Sequence, residues 1–90
     1  MRMIKLREDF GKLIITRKAV AEFFDSLGEF SDASLTLDFE GIEFISRSAA
    51  HEYLRQKAIS QKEIKEINLT QNVKSMFLLV ARQMQRAVSV

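Results

Sequence analysis

The pattern of apolar and polar residues divides the chain into short strands and longer helices. Ile4 and Leu6 alternate with charged neighbours, and the segment from Leu13 to Ile15 is a second apolar run. The residues EDFG between these runs are typical of a turn. The pattern therefore predicts two short antiparallel strands, a β-hairpin, over Met3 to Ile15.

The next segment, RKAVAEFFDSL, has its large apolar residues at helical spacing. It predicts a helix over about 17–27. The hydroxyl of Thr16 can accept a hydrogen bond from an N–H of the first turn, and Gly28 can adopt the left-handed conformation that often ends a helix. The apolar residues of this helix are Val20, Phe23, Phe24 and Leu27.

The middle of the chain, LTLDFEGIEFISRSAAHEYL, changes from the period of a strand to the period of a helix. Alternating apolar residues from Leu35 to Phe39 predict a strand, and Gly41 marks a bend after it. From Ser46 onward apolar residues fall four apart, which predicts a helix over about 47–59 with Ser46 as its N-cap. The apolar positions of this helix are Ala50, Leu54 and Ala58.

The last third of the chain predicts one more strand and one more helix. Ile64, Ile67 and Leu69 favour a short strand, and Thr70 or Asn72 can cap the helix. Its apolar surface is broader than packing on one side requires, so the surplus is a candidate surface for a homodimer. The apolar residues of this helix are Val73, Met76, Phe77, Leu78, Leu79, Val80, Ala81 and Met84.

The order of these elements indicates the fold class. Strands that alternate with helices favour parallel pairing through right-handed crossovers. We therefore expect an α/β fold, β-β-α-β-α-β-α, with helices packed on a small mixed sheet of about four strands. Ninety residues are enough for one hydrophobic core, which predicts a single domain over 1–90.

Composition and charge narrow the functional classes. The chain has no cysteine, hence no disulfide or thiolate site. No apolar run approaches the roughly 18 residues of a membrane helix, and the charges in MRMIKLREDF are unlike a signal peptide, so we expect a cytoplasmic protein without a membrane partner. The 14 basic residues are interspersed with 12 acidic ones. Nucleic acid is therefore not the expected partner.

No arrangement of catalytic or metal-binding residues is recognisable. His51 is the only histidine, and no second ligand stands at a metal-binding spacing from it. The serines near it lack the surroundings of a nucleophile, and phosphate-binding glycine loops are absent. Asp38 lies near a strand end with two glutamates, and we expect it to fix a loop by accepting hydrogen bonds from backbone N–H groups. We expect no enzyme activity, no cofactor and no metal.

The segment ISRSAA contains an unfavourably placed cation. Arg47 lies in the predicted first turn of a helix, where positive charge opposes the helix dipole by roughly a few tenths of a kcal/mol. Either its side chain extends into water, or it meets an acidic partner or a bound anion. Ala49 and Ala50 are small enough to let backbone or another surface approach this helix start closely.

The stretch LTLDFEGIEFISRSAA resembles the central segment of STAS domains, which occur in sulfate-transporter tails and anti-sigma-factor antagonists. In that family a strand ending in Asp leads through a Gly-containing bend to a D-S-[SA]-G-[LV] loop and a helix. Aligning Asp38 and Gly41 sets Ser46 on the motif's Asp and Arg47 on the phosphoacceptor serine. Ser48 then falls on the next small residue, and the glycine is replaced by alanine at position 49.

A closer resemblance is to the uncharacterised STAS-like family, with [ST]-R-x-x-A early in the chain and D-F-x-G-V-x-x-I-S-x-S-F-A-D-E-L in the middle. Thr16, Arg17 and the alanines at 19 and 21 are similar to the first motif, with approximate spacing. The departures from the second motif are Ala49 for Phe, His51 for Asp and Tyr53 for Leu. The residues that match the second motif are Asp38, Phe39, Gly41, Ile42, Ile45, Ser46, Ser48, Ala50 and Glu52.

The resemblance implies a non-enzymatic regulatory module that binds another protein. Antagonist members bind an ATPase-type anti-sigma kinase, are phosphorylated on the loop serine and then release the partner. Arg47 cannot accept that phosphate and is opposite in charge to phosphoserine, so Ser48 or Ser46 would have to replace it. The expected contact residues are Asp38, Ser46, Arg47, Ser48, Ala49 and Glu52.

A different class of function also fits this helix start. A small-ligand or nucleotide-binding sensor would use the backbone N–H groups of the first turn and Arg47 to hold an anion. The sequence pattern leaves both alternatives open.

Overall fold

The computed structural model describes residues 2–88, which form nine helices and strands. The predicted domain, 1–90, also includes Met1, Ser89 and Val90, which lie outside the described residues. The described elements confirm the predicted α/β class. In chain order they are β1 (Arg2–Lys5), α1 (Leu6–Phe10), β2 (Leu13–Ile14), α2 (Arg17–Leu27), β3 (Ser34–Asp38), β4 (Phe44–Ile45), α3 (Arg47–Ile59), β5 (Glu63–Ile67) and α4 (Gln71–Val88).

The strands form two small parallel sheets rather than one mixed sheet. β3 is the middle strand of the larger sheet, with β1 on one side and β5 on the other. β2 and β4 pair with each other in a separate two-stranded sheet. Every strand pair in the described part of the chain is parallel, so the predicted mixed sheet is wrong in strand direction.

The predicted hairpin over Met3 to Ile15 is also wrong. The residues between the two apolar runs do not form a tight turn, because Leu6–Phe10 is a short helix that buries Leu6. Gly11, with φ of 70°, ends this helix, and its N–H donates to the carbonyl of Arg7. The helix carries the chain across from the larger sheet to the smaller one, so β1 and β2 pair with different strands.

The core is organised around β3, which is covered on both faces. Its residues from Leu35 to Asp38 are all less than a tenth exposed, as is typical of strands in parallel sheets. Phe39, just past the strand, is fully buried and donates its N–H to the carbonyl of Ile67 at 3.0 Å. Aromatic rings from α2, α3 and α4 complete this core: Phe24 and Phe77 both contact Tyr53, with centroids 5.3 and 4.9 Å away.

The predicted N-caps of α2 and α3 are confirmed. Thr16 Oγ1 and Ser46 Oγ each accept a hydrogen bond from the N–H three residues later, both at 3.1 Å. The prediction for Gly28 is wrong: its φ is −64°, and its N–H donates to carbonyls of the last turn of α2. The chain leaves α2 through a right-handed turn, so no left-handed residue is required there.

The last helix begins after Thr70, whose Oγ1 accepts from the N–H of Val73 at 3.3 Å, so Thr70 and not Asn72 is the cap. Leu78 and Leu79 are exposed, in agreement with the predicted apolar surplus. Ala58 is exposed as well, so its predicted place on the apolar face of α3 is wrong. Among residues 2–88, no helix combines the length and apolar character that crossing a membrane requires.

Comparing the N-cap of α2 with that of α3 tests whether Ser46 stabilises the protein by more than capping its helix. We expect Thr16→Ala to lower the free energy of unfolding by about 1 kcal/mol through loss of the cap. Ser46→Ala should lower it by about 2 kcal/mol, because Ser46 Oγ also donates to the carbonyl of Ile15. Urea denaturation of both variants measures the difference. Equal losses would contradict the additional role of Ser46.

Candidate functional site

The start of α3 is attached to the end of β2 by hydrogen bonds from one residue. The backbone N–H of Ser46 donates to the carbonyl of Ile14 at 2.9 Å, and its hydroxyl donates to the carbonyl of Ile15. The same hydroxyl oxygen caps the helix by accepting from the N–H of Ala49. These bonds fix the segment ISRSAA against the smaller sheet.

The other residues of this segment differ sharply in exposure. Ala49 and Ala50 are fully buried, so they allow close packing but present no side chain to a partner. Ser48 is partly buried, with its Oγ 3.4 Å from Ser46 Oγ. Arg47 is exposed, and its side chain makes no hydrogen bond or ion pair with any residue from 2 to 88. Its guanidinium is therefore available to an external group.

An exposed apolar surface adjoins this helix start, and sequence reasoning missed it. Leu13 and Phe44 are register partners in the small sheet, which places their side chains on the same face. They are 48% and 45% exposed, and Ile15, two residues after Leu13, is 50% exposed. We call Leu13, Ile15 and Phe44 the β2–β4 patch.

The opposite face of the small sheet explains why the patch is exposed. Ile14 and Ile45 are also register partners, and both are 1% exposed on the core side. In a sheet buried on one face only, consecutive apolar residues cannot all be covered. The runs LII and FI are the signal in the sequence, because a strand that is buried on one face covers only every second residue.

The charges next to the β2–β4 patch are mainly positive. Arg47 follows β4 at the start of α3, and Lys18 lies in the first turn of α2 after β2. Both are exposed without an ion pair to any described residue. Lys12 is compensated by Glu43, with Nζ 3.8 Å from Oε2. Two uncompensated cations therefore lie within three residues of the apolar patch along the chain: Arg47 after Phe44, and Lys18 after Ile15.

Glu52, a predicted contact residue, is buried, and both of its carboxylate oxygens accept hydrogen bonds within the protein. Its carboxylate accepts two hydrogen bonds from Arg55, at 3.2 and 2.7 Å, and one from Gln56 at 2.7 Å. These bonds, together with the positive charges of Arg55 and Arg17, lower its pKa to about 2. Glu52 is 6% exposed. Its side chain therefore stabilises the site and is not presented to a partner.

Glu52 also links α3 to the start of α2. Nη1 of Arg17 lies 3.7 Å from Oε1 of Glu52 and 2.9 Å from Nδ1 of His51. Because a guanidinium can only donate, Nδ1 of His51 is the acceptor in this hydrogen bond. The first turns of α2 and α3 are thus held together by a charged network beside the β2–β4 patch.

Asp38, another predicted contact residue, is 6% exposed and lies in a different part of the fold. The prediction that Asp38 fixes a loop is confirmed. Its Oδ1 accepts hydrogen bonds from the N–H of Glu40 and from Nδ2 of Asn68, both at 2.9 Å. The Asn68 hydrogen bond, and then that of Glu40, lower the pKa of Asp38. Asp38 lines a polar cleft of about 380 Å³ with Lys5, Arg7, Glu8 and Glu40, to which no residue of α3 contributes.

Gly41, the other residue that sets the motif register, has a structural requirement of its own. Its φ is 85°, a conformation that glycine adopts without strain. A Cβ at this position would lie 2.7 Å from Cδ of Arg7. The bend after β3 therefore needs glycine for its backbone conformation, whereas the exposed Arg7 side chain could move away from an added Cβ.

The described residues contain no group of three or more potential metal ligands. Comparison with protein-family models, with curated proteins and with solved structures gives no match. No relative therefore supplies a role for Arg47, Ser48 or the β2–β4 patch, and their geometry and charge are the basis for assigning one.

The low pKa of Glu52 predicts a specific pH dependence of stability. A carboxylate with a lowered pKa stabilises the fold above its unfolded pKa of 4.5, and this contribution is lost as the pH falls through the folded value of about 2. At pH 7 we expect Glu52→Gln to lower the free energy of unfolding by about 1 kcal/mol. The difference from wild type should shrink between pH 4.5 and 2.

Urea denaturation across this pH range measures the effect. Glu22→Gln is the control, because Glu22 is exposed on α2 and has no ion pair with a described residue. A constant difference between wild type and Glu52→Gln down to pH 2 would contradict the assigned interactions.

Proposed function

We propose that this protein is a non-enzymatic regulatory module of STAS-like type that binds another protein in the cytoplasm. The contact surface consists of the start of α3 and the β2–β4 patch, and the partner is a kinase-like ATPase of the anti-sigma type. The observation that carries the proposal is the juxtaposition of three half-exposed apolar side chains with the uncompensated Arg47.

The composition of this surface favours a protein partner. A contiguous exposed apolar patch is a feature of interaction sites, whereas single exposed apolar residues are ordinary. Protein interfaces combine an apolar centre, in which aromatic residues are enriched, with arginine. Phe44 and Arg47 provide these two residue types three positions apart, with Leu13 beside Phe44 in the sheet.

The charges specify the chemistry of the partner. Arg47 and Lys18 favour an apolar surface bordered by carboxylates, because complementary charges accelerate association and select among partners. A carboxylate that reaches Arg47 would also lie near the positive end of the α3 dipole. We therefore infer an acidic rim on the partner.

The position of the segment ISRSAA supports the STAS-like assignment. The resemblance expects a strand, a glycine bend and then a loop that leads into a helix. β3, Gly41, β4 and α3 follow one another in that order. The residue aligned with the family's phosphoacceptor, Arg47, is also the exposed residue at this helix start.

Ser48 is a better phosphoacceptor than Ser46 if the module is switched. The hydroxyl of Ser46 both donates to Ile15 and caps α3, and a phosphate would remove both interactions. Ser48 holds neither role. A phosphate on Ser48 would add about −1.5 to −2 charges next to Arg47 and repel an acidic partner.

The binding proposal predicts that Arg47→Glu and Phe44→Ser each weaken partner binding about tenfold or more. The measurement is affinity capture from native cells, followed by titration of the captured protein against purified variants. Arg82→Glu is the control, since it makes the same charge change at an exposed position of α4. Undiminished binding by Arg47→Glu would contradict the proposed contact surface.

A separate measurement tests the alternative function. A rise in melting temperature with ATP that Arg47→Glu abolishes would favour an anion-binding sensor.

The switch predicts phosphate on Ser48 and none on Ser46 in protein isolated from native cells. Phosphopeptide mass spectrometry locates the modification. The variant Ser48→Glu should weaken partner binding while leaving the melting temperature near that of wild type, because Ser48 neither caps α3 nor bonds to Ile15. Phosphate on Ser46 alone, or on neither serine in any growth condition, would count against the switch.

A further inference from the structure

A second concave site lies between α3, β5 and α4. It is a cavity of about 290 Å³, just below the range of about 300–1,000 Å³ for small-molecule sites. Its apolar lining comes from Tyr53, Leu54, Leu69, Phe77 and Leu78. None of these residues belongs to the surface proposed for the protein partner, so the two sites can be tested independently.

The one carboxylate at this cavity is already compensated. Glu66 accepts a hydrogen bond from the hydroxyl of Tyr53 at 2.6 Å. Nζ of Lys57 lies 3.0 Å from one oxygen of the same carboxylate and 2.9 Å from the other. Burial, followed by the charge of Glu66, raises the pKa of Tyr53, so its hydroxyl remains a donor. Glu66 therefore has little capacity to attract a cation.

The remaining charge at the cavity is positive. Lys74 lines the cavity, and its ammonium group makes no hydrogen bond or ion pair with a described residue. Gln71–Val88, which forms α4, contains basic residues but no Asp or Glu. Since Lys57 and Glu66 offset each other, Lys74 leaves the lining of the cavity with one uncompensated positive charge.

We propose that this cavity binds a small amphiphilic monoanion, with an apolar chain or ring in the cavity and a carboxylate against Lys74. The apolar lining favours burial of hydrocarbon, and the charge of Lys74 selects an acid over its neutral analogue. A second copy of the chain is a poorer occupant, because two α4 helices face to face would bring cations together with no carboxylate on either helix.

Sodium octanoate is the probe, and octanol is its uncharged counterpart. Titration of isotope-labelled protein, followed by the amide resonances of residues 54, 69, 77 and 78, should show saturable octanoate binding at these positions. Octanol should bind the same positions about three- to tenfold more weakly. Lys74→Gln should remove this preference for the acid, whereas Lys65→Gln, at an exposed position outside the cavity, should leave it unchanged.

A charge-matched pair on α4 locates the site. Leu78→Glu places a carboxylate in the lining and should reduce octanoate binding about tenfold or more. Leu79→Glu changes the same net charge one residue later, outside the lining, and should bind octanoate within about twofold of wild type. Both leucines are exposed, so both variants should fold, and their melting temperatures check this.

Several results would overturn the proposal. Equal affinity for octanol and octanoate would contradict the proposed role of Lys74. Equal losses of octanoate affinity in Leu78→Glu and Leu79→Glu would contradict binding in the cavity. If the amide shifts fail to saturate while the protein sediments with phosphatidylglycerol vesicles, the apolar and basic surface of α4 contacts a lipid bilayer and not a soluble ligand.

Discussion

The fold depends on the pairing of β3 with a parallel neighbour on each side. Ser34–Asp38 aligns with Arg2–Lys5 on one edge and with Glu63–Ile67 on the other. Parallel neighbours cannot be joined by tight turns, so each connection must cross over the sheet. Those crossovers contain α2, α3 and the second sheet. The position of α3 relative to β2 is therefore a consequence of strand direction in the larger sheet.

The polar side chains around α3 are of two kinds: some bond within the protein and stabilise it, and others are left to bind a partner. Ser46 and Glu52 have their hydrogen-bonding capacity used within the protein, and no buried side-chain N or O atom in the described part of the chain lacks a partner. In contrast, Arg47 lies between them in sequence with its guanidinium unpaired to any residue from 2 to 88. The buried polar side-chain atoms of the described residues all have hydrogen-bond partners, whereas Arg47 is a charged group without one.

Helix α3 contributes to both proposed binding surfaces. Its first residue, Arg47, lies beside the β2–β4 patch, and Tyr53 and Leu54, about two turns later, line the cavity against α4. Each surface combines apolar side chains with uncompensated positive charge, in keeping with the net charge of +2. The two surfaces differ in shape: an open face of a sheet suits a protein, whereas a small cavity suits a single apolar group.

The sequence by itself determined the two helices over 17–27 and 47–59, the caps at Thr16 and Ser46, and the loop-fixing role of Asp38. These features depend on residues within a few positions of one another, so local spacing and hydrogen bonding are sufficient to specify them. Only the tertiary structure decided the direction of β1 and β2, the exposure of the β2–β4 patch, the burial of Glu52 and the cavity beside Lys74. Each of these depends on contacts between residues distant in the sequence, such as Leu13 with Phe44. A local apolar pattern predicts that a strand forms, but it does not specify which strand will be its neighbour or which of its faces will be covered.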